Sequence, residues 1–306
     1  MAKEQTMKEF ELFVAEKGVS AEMVSQYLHQ KRAEYADMRL TIEAMYEYAE
    51  STQDEDLVSE VVILETEFTD WCGGVMKKLS ETTRKLYGDE VWEKVFSGVQ
   101  MPQAGWTTEE LAEFTYAIEQ KYLSATTREN YECAHKKGGP FARAFEECDR
   151  KELTREDVDR AIDRINAGFM DLLREHHKSG KIFFNQKIDD AIIAEYESGK
   201  WNMRREGSKI IFMKIPFLMS RYLTETDRRM KRFYACHCPW ARKSILTDQT
   251  VSSSFCYCSL GHDKYELESA FGRVLDGRVI CSVLDGESLR CMFEVDIPAD
   301  VLERNE

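Results

Sequence analysis

The sequence predicts an α+β protein: an N-terminal all-α region with a long helical hairpin, then a C-terminal α+β domain with a small antiparallel sheet. Before residue 180, apolar residues recur every three or four positions, as they do in amphipathic helices. After residue 180, short alternating or β-branched runs flank glycine-containing turns, which is typical of β-hairpins. We therefore predict a helical domain at residues 1–180 and an α+β domain at residues 181–306.

Two apolar stripes predict the helical hairpin. One runs from residue 20 to about residue 50, the other runs from residue 57 to residue 86, and the polar segment Ser51–Asp56 joins them. Because the connection is short, each stripe is expected to be buried against the other. The stripes also predict a homodimer through these N-terminal helices. They consist of Leu28, Tyr35, Met38, Ile42 and Met45 in the first helix and Leu57, Val61, Leu64, Phe68, Trp71, Val75, Leu79 and Leu86 in the second.

Start signals mark the later helices. Thr107–Glu110 and Thr154–Asp157 both resemble capping boxes, and each precedes an apolar stripe. Beyond residue 180 we expect a helix over residues 186–197 and another that starts at Thr224–Asp227.

Two hairpins are predicted in the second half of the chain. Residues 200–209 and 210–215 surround a Glu-Gly-Ser turn. Residues 277–284 and 290–297 alternate in hydrophobicity and are separated by an Asp-Gly pair. These strands are expected to form the small antiparallel sheet.

Composition excludes several classes of protein. The 306 residues include 42 Lys plus Arg and 56 Asp plus Glu, so the formal charge is −14. Because phosphate binding depends on a positive field, this balance argues against nucleic acid as the main partner. The N-terminus has no apolar leader, and no apolar run is long enough to cross a bilayer. We expect a cytoplasmic protein without a membrane partner.

A cluster of cysteines is the most informative feature of the sequence. Four of the nine cysteines form two Cys-x-Cys pairs, Cys236 with Cys238 and Cys256 with Cys258. Pro239 suits the first position of a helix, which would make Cys238 the N-cap, and a second helix is expected to begin just after Cys258 or Ser259. Helix N-termini favour the thiolate, which is the form that binds metals and acts as a nucleophile.

Three interpretations of these thiols remain open. Four thiolates suit a tetrahedral zinc ion held by Cys236, Cys238, Cys256 and Cys258, so zinc is the predicted cofactor. Alternatively, one thiol is a reactive nucleophile, or all four are small buried packing residues. His237 is either a substitute metal ligand or a hydrogen-bonded structural residue.

The C-terminal quarter of the chain resembles a known family. The motifs are Phe255-Cys-Tyr-Cys-Ser-Leu-Gly261, Phe271-Gly-Arg273, Arg278–Gly286 and Arg290-Cys-Met-Phe293. They resemble the end of the 4-vinyl reductase, or hydrocarbon-binding, domain family, and also bacterial proteins grouped with 2-amino-thiazoline-4-carboxylic acid hydrolases. The resemblance implies an α+β domain around a pocket for a small apolar or aromatic molecule, with zinc nearby in some members. Cys291 and Cys258 match the family's cysteines, whereas Ser282 stands where zinc-binding members have another cysteine.

Two functions follow as hypotheses. The first is a ligand-binding or sensory protein for a small apolar or aromatic molecule, with a cysteine-bound structural metal. The alternative is a hydrolase of a C–N bond in a thiazoline- or amidine-like substrate, acting through a metal-activated water or a cysteine thiolate. The sequence does not decide whether the protein is an enzyme.

Overall fold

The structure is a computed structural model that describes residues 2–34, 38–65, 73–98, 109–110, 112–113, 115, 143–145, 148–149, 151–247 and 249–304. Within these ranges it has twelve α-helices and two antiparallel sheets, which confirms the predicted α+β class. None of the helices in the described ranges is long and apolar enough to span a membrane.

The elements follow one another in two blocks. The first block is helical: α1 Ala2–Lys17, α2 Ala21–Glu34, α3 Arg39–Thr52, α4 Glu55–Glu65, α5 Gly73–Phe96 and α6 Arg155–Ser179. The second block is mixed: β1 Ile182–Phe183, β2 Gln186–Lys187, α7 Asp190–Glu197, β3 Arg204–Glu206, β4 Lys209–Met213, α8 Met219–Thr224, α9 Arg228–Ala235, α10 Pro239–Leu246, α11 Tyr257–Phe271, β5 Gly277–Cys281, β6 Met292–Asp296 and α12 Ala299–Glu303. Short 3₁₀ helices at Ser253–Cys256 and Val283–Asp285 complete it.

The N-terminal helices form a cluster that differs in detail from the predicted hairpin. The single helix predicted over residues 20–50 is wrong, because Met38 lies outside helical structure between α2 and α3. Both α2 and α3 pack against α1 and α4, so the break divides the stripe between two helices of one cluster. The hairpin itself is formed by α3 and α4, which pack together across Gln53 and Asp54. Gln53 has a left-handed φ of 56° that reverses the chain.

Part of the predicted helical region lies outside the described residues. The predicted second stripe includes Phe68 and Trp71, which fall between α4 and α5, and most of the helix predicted from Thr107 is likewise not described. The homodimer stays a prediction.

Helix α6 begins where the sequence predicts. The Thr154 hydroxyl accepts a hydrogen bond from the backbone N–H of Asp157, and the Asp157 carboxylate accepts one from the backbone N–H of Thr154, which completes a capping box. Gly180 terminates the helix with a left-handed φ of 64°. The capping prediction is confirmed.

The helix predicted over residues 186–197 starts later than expected. Strands β1 and β2 form a small hairpin, and its turn residues Phe184 and Asn185 both have positive φ, 46° and 67°. The helix begins only after Asp189, whose side chain accepts a hydrogen bond of 2.8 Å from the backbone N–H of Ile192. The Asp189 N-cap, rather than Gln186, therefore sets the start.

Both predicted C-terminal hairpins are present and belong to one sheet. Strand β4 pairs with β3 and with β6, and β5 pairs with β6, all antiparallel, giving the order β3-β4-β6-β5. In this register Ile210 lies opposite Val295, and Phe212 lies opposite Phe293. These four side chains are buried and form the core-facing side of the sheet.

The structure has two apolar cores, and Ile63 and Tyr234 pack against both. One lies among α1–α4 and also includes Leu218, from the segment before α8. The other lies between the sheet and its helices, and it includes Val158, Ile162 and Leu173 of α6. The division at residue 180 stays a prediction, and side chains from both sides of that residue share the second core.

Candidate functional site

Both cysteine pairs lie at helix ends, but only the first pair has the predicted position relative to its helix. Cys236 follows the last residue of α9, and Cys238 is the N-cap of α10 with Pro239 as its first residue, which confirms that prediction. Helix α11 begins earlier than predicted, with Cys256 as its N-cap, so Cys258 lies inside the first turn. Because helical residues two apart point about 200° from each other, the early start separates the directions of this second pair.

Three of the four predicted thiols lie near one another, and Cys291 lies near them in place of Cys258. A charge on Cys238 would disfavour a charge on Cys236, and a charge on Cys291, Cys236 or Cys238 would disfavour a charge on Cys256. The Cys256 Sγ lies 2.8 Å from the Ser282 Oγ, and the Cys236 thiol is directed at the backbone carbonyl of Cys238 at 3.7 Å. Cys291 had been indicated only through the family resemblance.

Burial dominates the chemistry of these thiols. It raises the pKa of Cys236 and that of Cys291 to about 12, and it raises the pKa of Cys256 well above its usual value. For Cys236 and Cys256 the predicted thiolate is therefore not the favoured form, because burial outweighs the effect of the helix ends.

The positions of the cysteine and histidine side chains also bear on the predicted metal site. In the part of the chain that the structure describes, no three His, Cys, Asp or Glu side chains are placed to hold a metal ion. The His237 ring donates through Nε2 to the carbonyl of Ile215 at 2.6 Å, and burial lowers the pKa of His237 to about 4. This supports the structural role for His237. The zinc site stays a prediction.

The basic residues of α9 bind backbone carbonyls. Arg228 donates to Glu287, Arg229 donates to Ile245 and Thr247, and Arg232 donates to Val283. The guanidinium groups thus hold neighbouring elements onto α9.

A cavity of about 310 Å³ lies between the two blocks of the fold. Three segments far apart in sequence line this open cavity: α3 with α4, the turn between β1 and β2, and the segment before α8. Most of its wall is aliphatic or aromatic. The lining residues are Ile42, Glu43, Tyr46, Val61, Val62, Glu65, Phe184, Asn185 and Phe217.

One polar pair in the wall ties the two blocks together. The Tyr46 hydroxyl donates a hydrogen bond to the side-chain oxygen of Asn185, and Asn185 is only 3% exposed. Burial, with the nearby Glu50 carboxylate, raises the pKa of Tyr46, so the phenol stays neutral and keeps its proton for this bond.

The second polar feature of the wall is a buried ion pair. The Glu65 Oε2 accepts a hydrogen bond of 3.2 Å from Nη2 of Arg242, which lies behind it and is 1% exposed. Burial raises the pKa of the Glu65 carboxyl, and the charge of Arg242 offsets part of that rise. The Arg242 guanidinium also stacks 4.4 Å from the ring centre of Phe217.

Sequence reasoning missed this cavity. Ile42 and Val61 were assigned to helix stripes, and Tyr46, Phe184 and Asn185 were not singled out. The only local signal is Asn185, because asparagine tolerates the left-handed conformation that this turn requires.

Comparison with protein-family models, curated proteins and solved structures gives no match. The resemblance to the 4-vinyl reductase domain family stays a prediction.

Proposed function

We propose that the protein binds a small, largely apolar or aromatic molecule in the cavity between α3, α4 and the turn at residues 184–185. One observation carries this proposal: the cavity of about 310 Å³ has an apolar and aromatic wall interrupted by a few polar side chains. Small-molecule sites have this composition, in which apolar surface supplies affinity and the polar groups fix orientation.

The turn at the cavity supports the same proposal. Phe184 is 51% exposed although it lines the cavity, and it is held at a left-handed φ of 46°. A non-glycine residue in this conformation costs about 1 kcal/mol or more, and such strain is concentrated at ligand clamps. A ligand that covers the Phe184 ring would remove part of this apolar surface from water.

The position of the cavity supports a sensory role. Both blocks of the fold contribute to its wall, so a bound molecule would contact α3 and α4 as well as the β1–β2 turn. A ligand that binds only when these elements are together stabilises their association. Occupancy would thereby be coupled to the arrangement of the N-terminal helices.

No observation on the described residues favours the hydrolase. A thiol nucleophile needs a lowered pKa or an adjacent base, whereas desolvation raises the pKa values of Cys236, Cys256 and Cys291.

Methyl NMR of the full chain, labelled at isoleucine and valine methyl groups, tests the proposal. Titration with toluene, indole and 2-phenylethanol is expected to shift the methyl signals of Ile42, Val61 and Val62, and to leave those of Val158 and Ile192 in the other core unchanged. Val61→Phe, which fills part of the cavity, should weaken these shifts. The exposed control Leu246→Phe should not. Binding that is absent, or unchanged in Val61→Phe, would refute the proposal.

A further inference from the structure

We propose that Phe184, at the tip of the β1–β2 hairpin, makes the cavity select a planar aromatic ligand over an aliphatic one. This inference rests on the proposed function and adds to it the residue that selects the ligand. Tyr46, Phe184 and Phe217 all line the cavity, and each comes from a different segment of the chain. All of the lining residues precede the C-terminal motifs that begin at Phe255.

Phe184 occupies a turn position that rarely holds a large side chain. Phe183 pairs with Gln186, so the hairpin has a two-residue loop, Phe184 and Asn185, with φ of 46° and 67°. Positive φ at both loop positions is the pattern of a type I′ turn, which favours Asn-Gly, Asp-Gly or Gly-Gly. Asn185 tolerates this conformation, whereas a phenylalanine is strained in it. The turn itself therefore does not account for the phenylalanine.

Packing orients the Phe184 ring from one side. Its centre lies 4.5 Å from the centre of the Phe183 ring, at an interplanar angle of 72°. The Phe183 ring in turn contacts two rings of α6, with centre-to-centre distances of 4.6 Å to His176 and 6.1 Å to Phe169. An edge-to-face contact such as that between Phe183 and Phe184 prefers a specific geometry. The Phe184 ring is thus oriented before a ligand binds.

The turn that carries this ring is anchored at the cavity. The Tyr46 hydroxyl donates a hydrogen bond to the side-chain oxygen of Asn185, which holds the turn against α3. A contact surface that is already ordered loses little conformational entropy on binding.

An aromatic ligand gains more from Phe184 than an aliphatic one. The side chain is 51% exposed, so any apolar ligand that covers it removes apolar surface from water. A second aromatic ring can in addition adopt the offset-stacked or edge-to-face arrangement, which stabilises a pair of rings beyond the area that they bury. A cyclohexyl group of the same size lacks this second contribution.

Two probes that differ only in the ring test the inference by calorimetry on the full chain: 2-phenylethanol and 2-cyclohexylethanol. Each dissociation constant is divided by the water–octanol partition of the same probe, which corrects for the difference in hydration. In the wild type we expect a corrected preference for the phenyl probe of about three- to ten-fold. Phe184→Leu, which keeps an apolar side chain without a ring, should reduce it to less than about two-fold. The control Tyr87→Leu, at an exposed position of α5 outside the lining, should keep it.

A second variant separates selection of the ligand from support of the fold. Phe184→Asn matches the preference of a type I′ turn, so its melting temperature should equal or exceed that of the wild type while the phenyl preference is lost. A lower melting temperature would show that the ring is needed for the fold, and would overturn its assignment to ligand selection.

The outcomes distinguish this inference from the proposed function. If neither probe binds, both fail. If the probes bind without a corrected preference for phenyl, or if Phe184→Leu retains the preference, the cavity is a ligand site and only the selection by Phe184 is refuted. Because the first comparison uses the wild type, it decides the matter even if a variant does not fold.

Discussion

The Glu65 carboxylate accepts a hydrogen bond of 3.2 Å from the guanidinium of Arg242, a residue 177 positions further along the chain. Arg242 also approaches the carbonyl of Val62 at 3.4 Å, one turn before the end of α4. A cation at the C-terminal end of a helix is favoured by the helix dipole, so Arg242 is held by both the carboxylate and the helix. This pair joins the helical block to α10 beside the cavity.

Arg242→Met is expected to destabilise the protein by about 3–5 kcal/mol, because it leaves Glu65 buried without its partner. Urea unfolding measures this change. Adding Glu65→Leu should recover part of the loss, since the double variant leaves no unpaired charge in this position.

The matched control is an exposed arginine. Arg273 forms a bidentate pair with Asp300 near the C-terminus, and both side chains are more than 40% exposed. Arg273→Met should cost less than about 1 kcal/mol. Equal effects at the two arginines would contradict the account of the buried pair.

Asp157 gives a pH-dependent prediction. Although burial favours its neutral form, hydrogen bonds from Arg160 and Thr154 lower the pKa of Asp157 to about 2. The unfolded chain binds this proton more readily, so the stabilisation is present above about pH 4 and is lost as the pH falls towards 2. Asp157→Asn should therefore cost about 1–2 kcal/mol at pH 7 and little at pH 2. Thermal unfolding across this range would contradict the account if the difference between variant and wild type stayed constant.

Features that depend on neighbouring residues were predictable from the sequence. The capping box at Thr154 and Asp157 and the proline start at Pro239 each act within four residues of the chain. The start of α7 was missed because Asp189, a better N-cap, lies inside the range assigned to the helix.

A substitution at Gly277 tests the close packing between strands β5 and β6. A Cβ at this position would lie 2.9 Å from the backbone oxygen of Glu294, on the paired strand, and 3.3 Å from Lys264. The oxygen cannot move away without disturbing the β5–β6 pairing, so Gly277→Ala should destabilise the protein by about 1–3 kcal/mol.

Gly168 is the control, and its substitution by alanine is expected to change the stability in the opposite direction. A Cβ on Gly168, in the middle of α6, meets no atom within 4 Å. Gly168→Ala should therefore stabilise the protein by about 0.5–1 kcal/mol through helix propensity. Denaturant unfolding of the two variants compares these effects. If both substitutions stabilised the protein, or both destabilised it, the packing described for Gly277 would be contradicted.

Features that depend on distant residues were not predictable. Tyr46 and Asn185 meet across 139 positions, and no local pattern indicates that contact. In the same way, Cys291, the residue before β6, lies near Cys236 and Cys256, which follow other elements of the chain. The spacing of the Cys-x-Cys pairs carries no information about Cys291.

Elemental analysis of protein purified without added metal tests the zinc prediction. That prediction requires about one zinc per chain, lost in Cys238→Ser and Cys256→Ser and retained in the control Cys148→Ser. A metal-free protein whose thiols react slowly with iodoacetamide would refute it. Slow reaction would agree with the burial of Cys236 and Cys291.

The central claim is that a small apolar molecule occupies the cavity beside α3 and α4. Intermolecular nuclear Overhauser effects between the ring protons of 2-phenylethanol and the protein methyl groups measure this most directly. We predict effects to the methyl groups of Ile42, Val61 and Val62, all of which line the cavity. Effects confined to methyl groups of the other core, such as those of Val158 and Ile192, or none at saturating probe, would contradict the claim.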